Sequence, residues 1–312
     1  MNEPLFFTER TPDLLYDVPS KDLLALAYEQ AEDIMPSCDD DFKIALLLVD
    51  FQVDFCHPKG NLYLPEALDD VKRTASFIYR NLDAITTLIV SIDSHLPNHI
   101  FFAPWWIDEF GEHPEPFTII RYADIVNHRW IPMHDHVASA EYVKFLEENG
   151  RHALCIWPYH CLLGTQGKMV MPMIADALVY HSIARTTNPI YIEKGTTATS
   201  EYYGVFFPEV PLSNHHQVEI NQKLLDVLSH HDRVYVAGQA KSHCVLETLK
   251  QLSKYLADKE PAFLKKVYLL DDCCSILQHP TVDFNVSTEQ EFCRIAKRGM
   301  RRVMSRQTIN IR

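Results

Sequence analysis

Residues 234–256 read VYVAGQAKSHCVLETLKQLSKYL, and a change of period inside this stretch decides the fold. Val234, Tyr235, Val236 and Ala237 form a short β-branched and aromatic run that stops at Gly238. From Val245 onward apolar residues return at Leu246, Leu249, Leu252 and Leu256, which is helical spacing. The stretch predicts a strand, a sharp turn and a helix. Cys244 falls in the first turn of that helix, where unpaired N–H groups and the positive end of the dipole favour a thiolate and can hold an oxyanion. The competing reading is an inert cysteine packed as a small hydrophobe.

The same grammar recurs outward from this stretch. Residues 44–49 (IALLLV) form a continuous apolar run of the kind buried on both faces of a parallel sheet, with Asp50 at its C-terminal end. Residues 88–92 (LIVSI) run into Asp93, Ser94 and His95. Further strands are expected at 153–157 (ALCIW), 190–193 (IYIE) and 267–270 (VYLL), with helices at 65–81 and 138–149. Strands alternating with helices predict parallel βαβ units. The expected fold class is therefore α/β: a three-layer, doubly wound, mainly parallel sheet with helices on both faces. Residues 1–42 read as an N-terminal extension, in which Ser20 caps a helix whose apolar face is Leu23, Leu24, Ala27, Ala31, Ile34 and Met35. Residues 43–312 read as one domain, interrupted at about 97–150 by an insertion rich in proline and aromatic residues.

Composition narrows the function. A chain of 312 residues with 47% hydrophobic content can bury a sizeable core. A formal net charge of -13, with no stripe concentrating the 29 lysines and arginines, excludes nucleic acid as a partner. The basic C-terminal residues Lys297, Arg298, Arg301, Arg302, Arg306 and Arg312 read as a solvated helix face. No apolar run is long enough to span a membrane and no leader is recognisable, so a cytoplasmic protein without a membrane partner is expected. The eight cysteines show no CxxC pair and imply no disulfide framework. GTQGK at 164–168 lacks the spacing of a phosphate loop. His134, His136, His215, His216, His230 and His231 are expected at the surface.

In open α/β sheets ligands bind at the carboxyl ends of the strands, and the reactive residues fall there. Asp50, Asp93, His95, His160, Lys194 and Cys244 each follow a predicted strand by a few residues at most. A thiol nucleophile needs a base and a partner for its charge, which Asp50 and Lys194 can supply. Taken singly, Asp50 also reads as a structural cap and Lys194 as a surface lysine. Asp93 and His95 point to one side of an extended backbone. With His160 they make a carboxylate and two imidazoles, a ligand set that leaves positions open on a divalent ion. His160 has the alternative of a core histidine bonded to a carbonyl. His99 reads as solvent-facing, or as a fourth ligand.

Five blocks in order, VDFQVDF (49–55), DSH (93–95), WPYHCLLGTQG (157–167), EKG (193–195) and AGQAKSHCV (237–245), resemble the nicotinamidase branch of the isochorismatase-like cysteine hydrolases. The resemblance implies a Cys244, Asp50, Lys194 triad and an oxyanion hole from the N–H groups of Ala240 and Cys244, with a cis peptide before Ala240. It implies one divalent metal ion, zinc, iron or manganese, on Asp93, His95 and His160. Phe55 and Trp157, with Tyr203, would flank the substrate ring. The implied reaction is hydrolysis of nicotinamide to nicotinate and ammonia through a cysteine thioester. The expected partner is a small-molecule amide, and a homo-oligomer is compatible with the sequence. The alternatives are hydrolysis of another small amide or ureido compound, or a non-catalytic metabolite-binding or thiol-sensing role. The chain departs from the family pattern at Gln239, usually aliphatic, and at Lys241 and Ser242, usually Thr-Asp; these changes are expected to lie against the substrate.

Overall fold

The apolar run 44–49 is a strand with every residue buried, as the centre of a parallel sheet requires. The computed structural model describes residues 3–4, 13, 19–210, 221–259 and 262–310. In chain order the main elements are α1 (Lys21–Asp33), β1 (Ile44–Val49), α2 (Ala67–Arg80), β2 (Thr87–Asp93), α3 (His136–Glu148), α4 (Pro172–Ala184) and β3 (Ile190–Lys194). There follow α5 (Gln222–Ser229), β4 (Arg233–Gly238), α6 (Leu246–Lys259), β5 (Val267–Leu270), α7 (Asn285–Lys297) and β6 (Arg301–Val303). The sheet order is β6-β5-β4-β1-β2-β3, and every neighbouring pair is parallel.

This order places the site. From β1 the chain steps outward to β2 and β3; it then returns across the sheet to β4 and continues to β5 and β6. Right-handed crossovers put α2 and α4 on one face and α5, α6 and α7 on the other. The packing agrees, since α4 lies against both α1 and α2 while α6 lies against α7. The direction reverses between the adjacent strands β1 and β4, and that switch point is where such sheets open a crevice. Asp50 follows β1 there, and Gly238 ends β4. A Cβ at Gly238 would lie 2.0 Å from the Val49 carbonyl oxygen, so only glycine lets the two strand ends approach.

The N-terminal helix forms as its cap predicts, with Leu23 N–H donating to Ser20 Oγ at 3.0 Å. Its residues Leu23 and Ala27 are buried in the common core. The segment after it is tied to the end of α4 by Arg185, whose guanidinium reaches Asp40 at 2.6 Å.

Several expectations are corrected. Of residues 153–157 only Leu154–Cys155 is a strand, paired antiparallel with Ile119–Ile120 and not in the central sheet. A short apolar run does not reveal its partner, and this one is claimed by its neighbour in the chain. The sixth strand comes instead from the basic C-terminal segment, whose solvated helix face ends at Lys297. Arg302 there pairs with Asp271 and Glu289, and Arg301 donates to the Tyr268 hydroxyl. These partners lie far along the chain, which is why the strand read as a charged surface. His231 is buried, bonded to the Val227 carbonyl and the Thr87 hydroxyl at 2.7 and 2.9 Å. His134, His136 and His230 are exposed, while His215 and His216 lie outside the described residues. His99 is fully buried, and its Nε2 accepts the Leu96 N–H at 3.2 Å. No helix among the described residues is long and apolar enough to cross a membrane.

Candidate active site and metal centre

Asp50 leaves β1 in the left-handed region, φ 49°, and this turn aims its carboxylate along the strand ends. Ser91 on β2 holds it twice, accepting the Asp50 N–H at 3.1 Å and donating to Oδ1 at 2.5 Å. Lys194, the last residue of β3, crosses beneath Asp93. Its ammonium lies 2.8 Å from Asp50 Oδ2, 3.0 Å from Asp93 Oδ1 and 2.9 Å from the Tyr202 carbonyl, with Cys244 Sγ at 3.8 Å. Three oxygen neighbours match the three protons of an ammonium. Burial alone would lower the pKa of Lys194, but Asp50 and Asp93 outweigh it and hold the group charged. Cys244 sits in a π-helical turn, Lys241–Val245, that leads into α6, and the Gln239–Ala240 peptide before it is cis. Its sulfur, an Asp50 oxygen and an Asp93 oxygen all lie within 4.8 Å of one another.

The electrostatics differ from the expected resting thiolate. Burial pushes the Cys244 thiol well above its ordinary value, against the lowering effect of Lys194. Two carboxylates already share the lysine's charge, so little of it reaches the sulfur. Asp50 is raised by burial against the pull of the same lysine, which suits it to receive a proton.

Asp93, His95 and His160 bring their ligand atoms within 4.8 Å of one another. His95 Nδ1 donates to the Gly195 carbonyl at 3.1 Å and His160 Nδ1 to the Pro158 carbonyl at 2.9 Å. In both rings Nε2 is therefore the atom turned to the cluster, His95 Nε2 lying 3.4 Å from Asp93 Oδ2, and carbonyls fix the rings from behind. His160 is held neutral, its pKa lowered to about 3 by burial and by His95. Burial would raise Asp93, but Lys194 and His95 keep it well below the usual carboxylate range. One anionic oxygen and two imidazole nitrogens fit a divalent cation. His99 is not part of this cluster.

A cavity of about 30 Å³ joins the two groups, lined by Phe55, Leu62, Asp93, Trp157, His160, Tyr203, Ala240, His243, Cys244 and Leu277. It has room for about two waters. A larger groove of about 880 Å³ shares Leu277 with it but contains none of the reactive side chains. Gln239, Lys241 and Ser242, expected against the substrate, do not line the cavity. The Gln239 amide turns back to Asp70, and the Lys241 ammonium reaches Asp271 and Glu289.

Sequence reasoning missed several supporting residues. Gln52 locks the end of β2 through bonds to the Asp93 carbonyl and N–H at 2.8 and 2.7 Å. Asp54 accepts the Cys161 N–H at 2.6 Å and so fixes the loop that carries His160. Both stand in the VDFQVDF block, two and four residues beyond Asp50, where their spacing was the available signal. Glu201 is buried behind the aromatic wall and accepts the Trp157 indole N–H at 2.9 Å and the Tyr203 hydroxyl. Nothing local to Glu201 announces it.

No protein-family model matches the chain. It is 27% identical over 204 residues to a curated nicotinamidase of Saccharomyces cerevisiae, covering 65% of this chain and 78% of that protein. Among solved structures, it is similar to the yeast nicotinamidase bound to the inhibitor nicotinaldehyde, with TM-score 0.57 and 19% identity over 84% of this chain and 99% of that one. It is also similar to a nicotinamidase and pyrazinamidase of Acinetobacter baumanii, with TM-score 0.53 and 21% identity over 86% of this chain and 98% of that one. At these identities the structural matches establish a shared fold.

Proposed function

We propose, from the premise that this chain is a member of the nicotinamidase branch of the isochorismatase-like hydrolases, that it is a cysteine amidohydrolase converting nicotinamide and water to nicotinate and ammonia. The observation that carries the reading is that Cys244, Asp93 and His160 line one cavity walled by Phe55, Trp157 and Tyr203, with Lys194 in contact with Asp50, Asp93 and Cys244, and His95 clustered with Asp93 and His160.

Asp50 takes the Cys244 proton as Sγ bonds the carboxamide carbon, and the carbonyl π pair moves onto oxygen. The N–H groups of Ala240 and Cys244 hold that oxyanion. Asp50 then returns the proton to nitrogen, the C–N bond breaks, ammonia leaves and a thioester remains. Water attacks the thioester while Asp50 removes its proton; the acid departs and the sulfur is reprotonated. Lys194 keeps Asp50 ionised between these transfers. A divalent ion on Asp93, His95 and His160 would supply a Lewis acid for the lone pair of a ring nitrogen.

The test is ammonia release from purified, metal-replete protein. Nicotinamide should be hydrolysed, pyrazinamide more slowly, and benzamide, which lacks the ring nitrogen, far less. Benzamide turned over as fast as nicotinamide would remove the anchoring role of the ion. No ammonia from any pyridine carboxamide would move the reading to another small amide or ureido substrate.

A further inference from the structure

The three departures from the family pattern, Gln239, Lys241 and Ser242, flank Ala240, and all three reach one strip of chain, residues 271–277. Gln239 is fully buried; its Nε2 donates to Asp70 Oδ2 at 2.8 Å and its Oε1 accepts the Ser275 N–H at 3.0 Å. Ser275 Oγ donates to the same Asp70 oxygen at 2.5 Å, and the Ser275 carbonyl accepts the Lys241 N–H at 2.7 Å. Ser242 Oγ accepts the N–H of Leu277, a wall residue of the cavity, at 3.2 Å. Lys241 extends the bracing outward to Asp271 and Glu289 at 2.9 and 3.1 Å.

The residues on both sides of Ala240 are thus bonded to Ser275, and Ser275 is bonded to Asp70 on α2, an element on the other face of the sheet from α6. Burial makes each of these bonds costly to lose, because a donor or acceptor stranded away from water keeps its full desolvation penalty. An aliphatic side chain at 239 could make neither of the glutamine's bonds. The loop that bears the Ala240 N–H is therefore fastened in this chain by polar side chains rather than by apolar packing.

We infer that Gln239 is a positioning residue which, through Asp70 and Ser275, fixes the Ala240 peptide N–H where it must meet the developing oxyanion. It touches no substrate and acts through the loop. The inference rests on the cysteine-hydrolase reading above.

Nicotinaldehyde and nicotinate are the probes. The aldehyde forms a bond from Cys244 Sγ to its carbonyl carbon; the thiol proton passes to Asp50, and the π pair becomes an alkoxide that needs the oxyanion donors. Nicotinate binds without forming that alkoxide. Gln239→Leu should weaken aldehyde binding about tenfold or more and lower kcat in parallel. Nicotinate affinity and KM should change by no more than about twofold. Ser275→Ala, which breaks only the hydroxyl bond to Asp70, should act in the same direction with smaller size, and it carries the test if Gln239→Leu does not fold. Folded variants that bind aldehyde as tightly as wild type does overturn the positioning role. A wild-type protein that neither releases ammonia nor reacts with the aldehyde instead ends the cysteine-hydrolase reading, and this inference with it.

Discussion

At Lys194 a single ammonium holds two carboxylates apart from one another, so its removal leaves Asp50 and Asp93 as buried like charges. Lys194→Met should cost about 3–5 kcal/mol of stability, read by urea unfolding, in addition to abolishing turnover. Cys244→Ala should abolish turnover while leaving the unfolding midpoint near wild type, since the thiol's packing is largely kept. Retained activity in that variant would end the nucleophile assignment. Glu201 gives the pH dependence. Burial raises its pKa to about 7, against the lowering effects of Tyr203 and Trp157. Below its unfolded value, about 4.3, both states carry the proton and it contributes nothing to pH dependence. Between there and about 7 only the folded state keeps the proton, so stability falls as pH rises, and above that the loss is complete. Glu201→Gln should therefore gain in thermal midpoint relative to wild type at pH 8, with the gain shrinking toward pH 5. A gap that widens on acidification would contradict this account.

Among the elements, the turn after β3 is tightly constrained. Gly195 has φ +79°, and a Cβ there would lie 2.6 Å from Asp93 Oδ1 and 2.7 Å from His95 Cε1. Its carbonyl also orients His95. Gly195→Ala should cost about 1–3 kcal/mol from backbone strain alone, and it should disturb the two candidate ligands it would touch. Thermal unfolding and metal content, measured on the same sample, check both effects; unchanged metal content would show that the turn tolerates the methyl. Residues 97–150 also reach the site. Phe101 and Phe102 pack their rings 5.0 and 5.9 Å from His95, and Tyr142 on α3 donates to Glu201 behind Trp157 at 3.4 Å. Trp105 and Trp106 are buried, with indole N–H groups donating to Ser139 and to the Ile100 carbonyl. They belong to the same buried core as the central strands, so their truncation should lower stability before it changes KM.

At the scale of the molecule, the candidate metal ligands come from the end of β2 and from the loop that carries His160, which the fold brings together. Purified protein should carry about one divalent ion per chain, lost in His95→Ala. Elemental analysis without chelators decides this, and a metal-free wild type would sink the assignment. The positions of Asp50, Asp93, Lys194 and Cys244 were legible in the sequence because buried parallel strands are continuous apolar runs, and the residue after each run must emerge at the same edge of the sheet. The parallel α/β class followed from the same alternation. Strand 301–303 was not legible, since two arginines and one valine carry no apolar signal, and only the fold pairs Arg302 with Asp271 and Glu289. Nor was the direction of Gln239, whose partner Asp70 lies 169 positions away. The sequence by itself determined which residues stand at the strand ends, because periodicity and burial are local properties of a chain. Only the tertiary structure decided what those residues face and whether the Cys244 thiol rests protonated, because desolvation and long-range hydrogen bonds arise when distant segments share one interior.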